Sequence, residues 1–246
     1  MERTEAKVMN DHCHCCLLML WARAIRGILA NRQAIEDVLV QRERQPSKAS
    51  DKDFFRECAW AIYNARTRYK AVKEIWPDVE EAFLCWDYAL VCQSIDKVRT
   101  AATRIRIWNS VRKAEATTAI ALWMHKTGWA AIKQRLLSGL KTDSQGNLKP
   151  EDGLIAYLDQ LRMIGETNAT FILKNLGYDV AKADIRLRRL AARFDYPGDK
   201  DGVQQFASDI SKLALERISV VETVLWNACN SKADLGFKCP ACGRQR

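Results

Sequence analysis

The sequence predicts an all-α protein, and three observations predict it. Long stretches lack glycine and proline, of which there are only 11 and five in 246 residues. Those stretches are rich in Ala, Leu, Arg, Lys and Glu, the residues that lose least on entering a helix. Apolar positions recur at helical spacing, and sustained alternation of period two is nearly absent. Hydrophobic residues make up 48% of the chain, with eight Trp, enough to fill one large domain or two small helical lobes.

The elements follow in order. Residues 9–43 read as one or two helices, with Leu17, Leu18, Leu20, Ala24, Ile25, Ile28 and Leu29 at helical spacing. The polar run 44–53, with Pro46 and two serines, reads as a loop before the main body. Helices are expected at 54–75, 79–92, 94–108 and 111–138, with Pro77 breaking the first from the second. Residues 139–153 form the longest turn-rich stretch, suited to an inter-lobe connection or a short hairpin. Helices at 154–162, 166–176, 184–194, 203–217 and 219–229 complete the body. The expected organisation is thus 1–53 as N-terminal helices packing on the body, a 54–138 lobe, a 139–153 connection, a 154–229 lobe and a 230–246 tail.

The net charge of +9, from 39 basic against 30 acidic residues, suits a polyanionic partner. It is unevenly spread. Segment 99–113 carries Arg99, Arg104, Arg106, Arg112 and Lys113 with no acid, and 182–193 carries Lys182, Arg186, Arg188, Arg189 and Arg193 against Asp184 alone. Solvated helix faces would give the same pattern. No run approaches the roughly 18–20 apolar residues that span a bilayer. No leader is recognisable before Cys15–Trp21, so no membrane partner and a reduced, cytoplasmic setting are expected.

Of nine cysteines, Cys58, Cys85 and Cys92 lie in apolar helical patterns and read as small buried hydrophobes. Cys239-Pro240-Ala241-Cys242-Gly243 is of metal-knuckle type, because thiolates two residues apart can share one ion. Cys229 precedes it, and His12-Cys13-His14-Cys15-Cys16 could supply further ligands if the chain ends meet. The candidate ligands are Cys13, Cys229, Cys239 and Cys242, for a structural zinc or iron–sulfur site. A reduced tail with idle thiols is the alternative.

The most informative stretch is Leu154–Phe194. Two short helices flank Met163-Ile164-Gly165, and Leu158, Leu161, Ile164, Ala169, Ile172 and Leu173 supply the faces that pack them together. Free amides at Gly165 and the start of the next helix attract phosphate oxygen. Asp184 then stands at the head of a basic helix, where it can cap that helix or serve chemistry beside DNA.

These residues resemble the helix-hairpin-helix DNA glycosylases, the superfamily of endonuclease III and the 8-oxoguanine glycosylases. Leu158, Leu161, Ile164, Gly165 and Ala169 match the family hairpin, while Met163 replaces its first glycine. Asp184, seventeen residues beyond Thr167, heads a run similar to the catalytic aspartate segment, with Arg189 at the family's arginine position. Ile62–Thr67 looks like the first-lobe loop that probes the duplex, and Glu222–Trp226 is similar to a stretch of archaeal-type 8-oxoguanine glycosylases. The resemblance covers residues 54–229.

The resemblance implies a two-lobed helix-hairpin-helix glycosylase fold, an active site between the lobes, and a monomer acting on double-stranded DNA that contains a modified base. Bifunctional members carry a lysine where this chain has Thr167, and threonine cannot form a Schiff base with the sugar. A monofunctional enzyme needing no catalytic cofactor is therefore expected. A glycosylase/lyase using Lys174, an enzyme against hypermodified viral DNA, and a non-catalytic hairpin module are the alternatives. Asp184 would stabilise the sugar cation and activate water, with Glu166 as the second carboxylate. Trp226 and Glu222 would bind the extruded base. Tyr63, Asn64, Arg66, Gly165, Thr167, Arg186 and Arg189 would contact DNA. A core role suits Trp226 equally, and pairing with the dipole of its helix suits Glu166 better than catalysis does.

Overall fold

Capping chemistry sets where several helices begin. In the computed structural model, which describes residues 13–142 and 148–246, Ser50 opens α3 (Asp51–Asn64) through a reciprocal box. Its hydroxyl accepts from the Asp53 amide at 3.1 Å, and its own amide donates to Asp53 Oδ2 at 3.0 Å. Asp87 caps α5 (Tyr88–Gln93) and Asp199 caps α12 (Lys200–Ala214) without the reciprocal bond, each carboxylate accepting from the amide three residues on. The described residues are all-α apart from one two-stranded sheet and a narrow C-terminal hairpin, in keeping with the all-α class the sequence predicts.

Contacts gather the chain into two compact units. The larger, Leu39–Lys182, holds α3 and α5 with α4 (Tyr69–Ala82), α6 (Ile95–Arg104), α7 (Ser110–Thr127), α8 (Trp129–Ser138), α9 (Asp152–Asp159) and α10 (Glu166–Asn175). Its core is built on α3, whose Phe54, Phe55, Cys58, Ile62 and Tyr63 are fully buried. Around them Trp76 stacks on Trp86 at 5.1 Å and meets Trp60 edge-on at 4.5 Å. Such offset and edge-on pairs suit the ring quadrupole. Between α8 and α9, strands β1 (Leu140–Thr142) and β2 (Leu148–Pro150) pair antiparallel.

The smaller unit joins the described residues up to Val38 with Ala183–Arg246. Here α1 (His14–Ile28) packs on α12 and α13 (Ile218–Asn230), and α11 (Ile185–Arg193) packs on both of those C-terminal helices. Helix α2 (Arg32–Glu43) runs across the boundary. The unit closes with a narrow hairpin in which Phe237 and Arg246 exchange backbone bonds of 3.0 and 2.7 Å.

Four expectations need correction. Residues 54–75 are not one helix: α3 stops at Asn64, and α4 runs through Pro77 instead of breaking there. Pro77 is exposed on that helix, so the missing amide bond carries no packing penalty beyond itself. The expected 111–138 helix divides at Gly128, whose φ of 80° ends α7. Cys85 is exposed rather than buried, because α4 ends at Ala82 and the chain turns through Leu84, Cys85 and Trp86 with positive φ. Lys113, counted within a basic surface run, is fully buried in α7.

Candidate active site

The hairpin forms as its apolar pattern demands. Leu158, Ile164, Ala169, Ile172 and Leu173 are at most 2% exposed and Leu161 is 8% exposed, so the α9 and α10 faces close on one another. The link is tight. Ile164 donates to the Leu161 carbonyl at 2.9 Å, and Met163 takes a left-handed φ of 63°, a conformation that glycine adopts more readily. Asn168 Nδ2 donates to the Met163 carbonyl at 3.3 Å and braces the turn. Gly165 caps α10 without a side chain, and Gly165, Glu166 and Thr167 are all exposed. The first amides of α10 therefore face outward, where an anion can reach them.

Lys174, seven residues beyond Thr167, is in a different setting. It is only 7% exposed, and its ammonium lies 5.6 Å from the Phe171 ring centre. Gln41 holds its backbone carbonyl at 2.9 Å.

In the smaller unit, Asp184 has non-helical dihedrals and is the N-cap of α11. Its Oδ1 accepts from the amides of Arg186 and Leu187 at 2.9 and 3.0 Å. Its Oδ2 accepts from the indole N–H of Trp226 at 2.9 Å, a contact across 42 residues of sequence. Three N–H donors thus fix both oxygens, and Oδ2 retains an acceptor direction for a further group. Asp184 and Trp226 are both half-buried, and the Arg186 guanidinium lies 5.7 Å from the Trp226 ring centre. Arg186 and Arg189 are exposed. Glu222 lies one helical turn before Trp226 and is 2% exposed. It is shut in beside Thr223, whose hydroxyl lies 3.4 Å from Glu222 Oε2.

The Ile62–Thr67 segment places its candidates differently from one another. Arg66 is exposed with φ 54°, and Asn64 is half-buried with its amide nitrogen donating to the Trp60 carbonyl at 2.8 Å. Tyr63 does not face outward at all. It is 0% exposed, edge-on to Trp76 and Phe83, and burial pushes its hydroxyl up from the ordinary tyrosine range. A DNA-contacting Tyr63 is therefore corrected to a core residue: it falls on the inward face of α3 with Phe55 and Ile62.

Beneath this segment lies a residue that the sequence reading missed. The Lys113 ammonium donates to the carbonyls of Tyr63 and Ala65 and, at 2.7 Å, to the Thr67 hydroxyl. It supplies donors to carbonyls that the end of α3 leaves free. Burial lowers its pKa to about 8. The signal was present but weak: Lys113 falls in helical phase with buried Ala114, Ala116 and Thr117.

Four cysteines gather elsewhere in the smaller unit. The sulfurs of Cys13, Cys16, Cys239 and Cys242 all lie within 4.8 Å of one another and could hold a metal ion. Cys229 stands outside this group. It sits on α13, where burial and then the Asp184 charge raise its thiol. Cys16 takes the fourth place, and the signal for it was the matching Cys-x-x-Cys spacing at 13–16 and 239–242. His12 lies outside the described residues.

Comparison with solved structures shows the fold alone: it is shared with 8-oxoguanine DNA glycosylases, which have the helix-hairpin-helix glycosylase fold. The 8-oxoguanine glycosylase/lyase of Methanocaldococcus jannaschii, bound to DNA containing 8-oxoguanine, superposes with a TM-score of 0.60 at 16% identity, over 87% of this chain and 99% of that one. A second structure of the M. jannaschii 8-oxoguanine DNA glycosylase gives 0.59 at 16% identity, over 90% and 98%. The 8-oxoguanine DNA glycosylase of Thermotoga maritima gives 0.55 at 17% identity, over 89% and 99%. No family model and no curated protein matches the chain by sequence. Among the described residues no helix is long and apolar enough to cross a membrane.

Proposed function

We propose that this chain is a monofunctional DNA glycosylase that hydrolyses the N-glycosidic bond of a modified base in double-stranded DNA. The observation that carries the reading is the Asp184 carboxylate, held by two backbone amides and the Trp226 indole at the head of an arginine-rich helix. As the base departs, positive charge builds on the sugar. A fixed carboxylate stabilises it without reorganising, and its open acceptor direction on Oδ2 can orient water towards the same carbon. Glu166, exposed at the start of α10, remains the second carboxylate. The fold shared with glycosylases supports the reaction class.

Absence of strand cleavage rests on Thr167. No hydroxyl forms the imine that a lyase needs, and burial of Lys174 argues against a relocated amine. Catalysis then needs no cofactor, and any metal at the four cysteines is structural. Exposed Arg66, Arg186 and Arg189 and the amides around Gly165 are the proposed DNA contacts. Oxidised purines head the substrate classes, because the similar structures are named for 8-oxoguanine. We take the protein to act as a monomer in the cytoplasm, where DNA and reduced thiols coexist.

The test is incubation with duplexes carrying oxidised, alkylated or hypermodified bases, with the freed base identified by mass spectrometry. Asp184→Asn keeps a capping side chain and should cut base release by at least about 100-fold while DNA affinity stays within about threefold. Full activity in that variant defeats the reading. A borohydride-trapped protein–DNA adduct defeats its monofunctional part.

A further inference from the structure

The four-cysteine cluster has a geometry more specific than proximity. Cys13 is the residue before α1 and Cys16 lies in its first turn, where a bond of 2.9 Å from the Cys16 amide to the Cys13 carbonyl sets both sulfurs on one side. Opposite them, Cys239 and Cys242 flank a tight turn. The Gly243 amide donates to the Cys239 carbonyl at 2.8 Å, and the Cys239 amide donates to the Arg244 carbonyl at 2.9 Å. Gly243 has φ 71°, which glycine adopts without penalty.

The spacing distinguishes the occupants. The Cys13 and Cys239 sulfurs are 3.7 Å apart and those of Cys16 and Cys242 are 3.4 Å apart. Four thiolates around one zinc, each at about 2.3 Å, stand about 3.8 Å from one another by tetrahedral geometry. A four-iron cube spreads its thiolates wider, because each binds a different iron. A disulfide would bring two sulfurs to about 2.05 Å. A tetrathiolate zinc centre carries net negative charge, and the Arg246 guanidinium, itself 9% exposed, lies close enough to the Cys16 sulfur to act on its charge.

We infer that Cys13, Cys16, Cys239 and Cys242 bind a single tetrahedral Zn²⁺ that fastens the start of α1 to the 237–246 hairpin. The consequence reaches the candidate active site along α11. Arg246 donates to the Arg193 carbonyl at 2.7 Å, and Arg246 and Arg244 both pair with Asp195, at 2.7 and 2.6 Å. The clipped hairpin thus grips the C-terminal end of the helix whose N-terminal end Asp184 caps.

Elemental analysis of the purified full chain should find one zinc per molecule. Cys16→Ser and Cys242→Ser should each lower that to less than about one tenth, whereas Cys15→Ser and Cys229→Ser should leave it unchanged. Chelation under denaturing-free conditions should lower Tm by on the order of 10 °C, restored by zinc. Cobalt taken up by the apo chain should give the strong visible bands of a tetrahedral tetrathiolate site, a readout that survives if the serine variants fail to fold. Zinc well below one per chain, four irons with sulfide, one iron in place of zinc, or a mass showing two disulfides each overturns the inference. These measurements are independent of base excision, so failure of one proposal leaves the other standing.

Discussion

Lys113 shows how one buried side chain decides the shape of a surface loop. Its ammonium reaches the last carbonyls of α3 and the Thr67 hydroxyl, and Arg66 lies between them with a left-handed backbone. Lys113→Met would strand those acceptors at a cost of about 2–3 kcal/mol, because buried polar groups without partners lose their hydration for nothing. The pH dependence follows from the direction of the shift. Burial lowers the folded-state pKa from 10.5 to about 8, so between those values the unfolded chain binds more protons and folding stability rises with pH. Below about pH 8 the full cost of enclosing the charged form is borne. Denaturant titrations should therefore show wild type gaining on Lys113→Met as pH rises from 8 towards 10. A constant difference across that range would contradict the account. Where the loop contacts DNA as proposed, the same variant also weakens binding.

At the scale of elements, helices were legible wherever local chemistry and periodicity agreed. The hairpin shows this: its buried positions, Leu158 to Leu173, follow directly from helical spacing, and α10 begins at Glu166 as expected. Boundaries failed where a tertiary contact overrode a local signal. Pro77 reads as a breaker, yet its helix continues because Val72 and Val79 on either side are both fully buried and anchor the same face. Asn64 carries no stop signal, yet α3 ends there because Lys113, distant in sequence, satisfies its carbonyls. Asp184 was visible as a cap, while its bond to Trp226 depends on α13 packing beside α11, which no local pattern encodes. The corner between α11 and α12 offers a direct test of such packing. A Cβ on Gly202 would lie 2.0 Å from the Pro197 carbonyl oxygen, a backbone atom that cannot step aside. Gly202→Ala should therefore destabilise the smaller unit by more than about 2 kcal/mol, despite the better helix propensity of alanine. A thermal melt at or above the wild-type Tm would show that the corner yields easily.

For the whole molecule, the net charge of +9 becomes informative once burial has sorted the basic residues. Arg99, Arg104, Arg106 and Arg112 are exposed in the larger unit, and Arg186, Arg189 and Arg193 in the smaller, whereas Lys113 is spent inside. A polyanion releases condensed counterions when arginines replace them, so affinity for duplex DNA should fall linearly with salt on logarithmic axes, by about 0.9 per phosphate neutralised. The slope counts contacts and says which arginines make them. If Arg186 and Arg189 meet phosphate, replacing each with alanine should reduce the slope by about one and weaken binding to all sequences alike. Replacing Arg99 and Arg104 tests the other segment: an unchanged slope makes that face merely solvated, and a reduced one extends the DNA footprint onto α6. Affinity measured at several salt concentrations for the four single variants separates these outcomes. A slope unaltered by Arg186→Ala and Arg189→Ala together would mean that the basic face of α11 lies away from DNA, and Asp184 at its head would lose the substrate it is proposed to act upon.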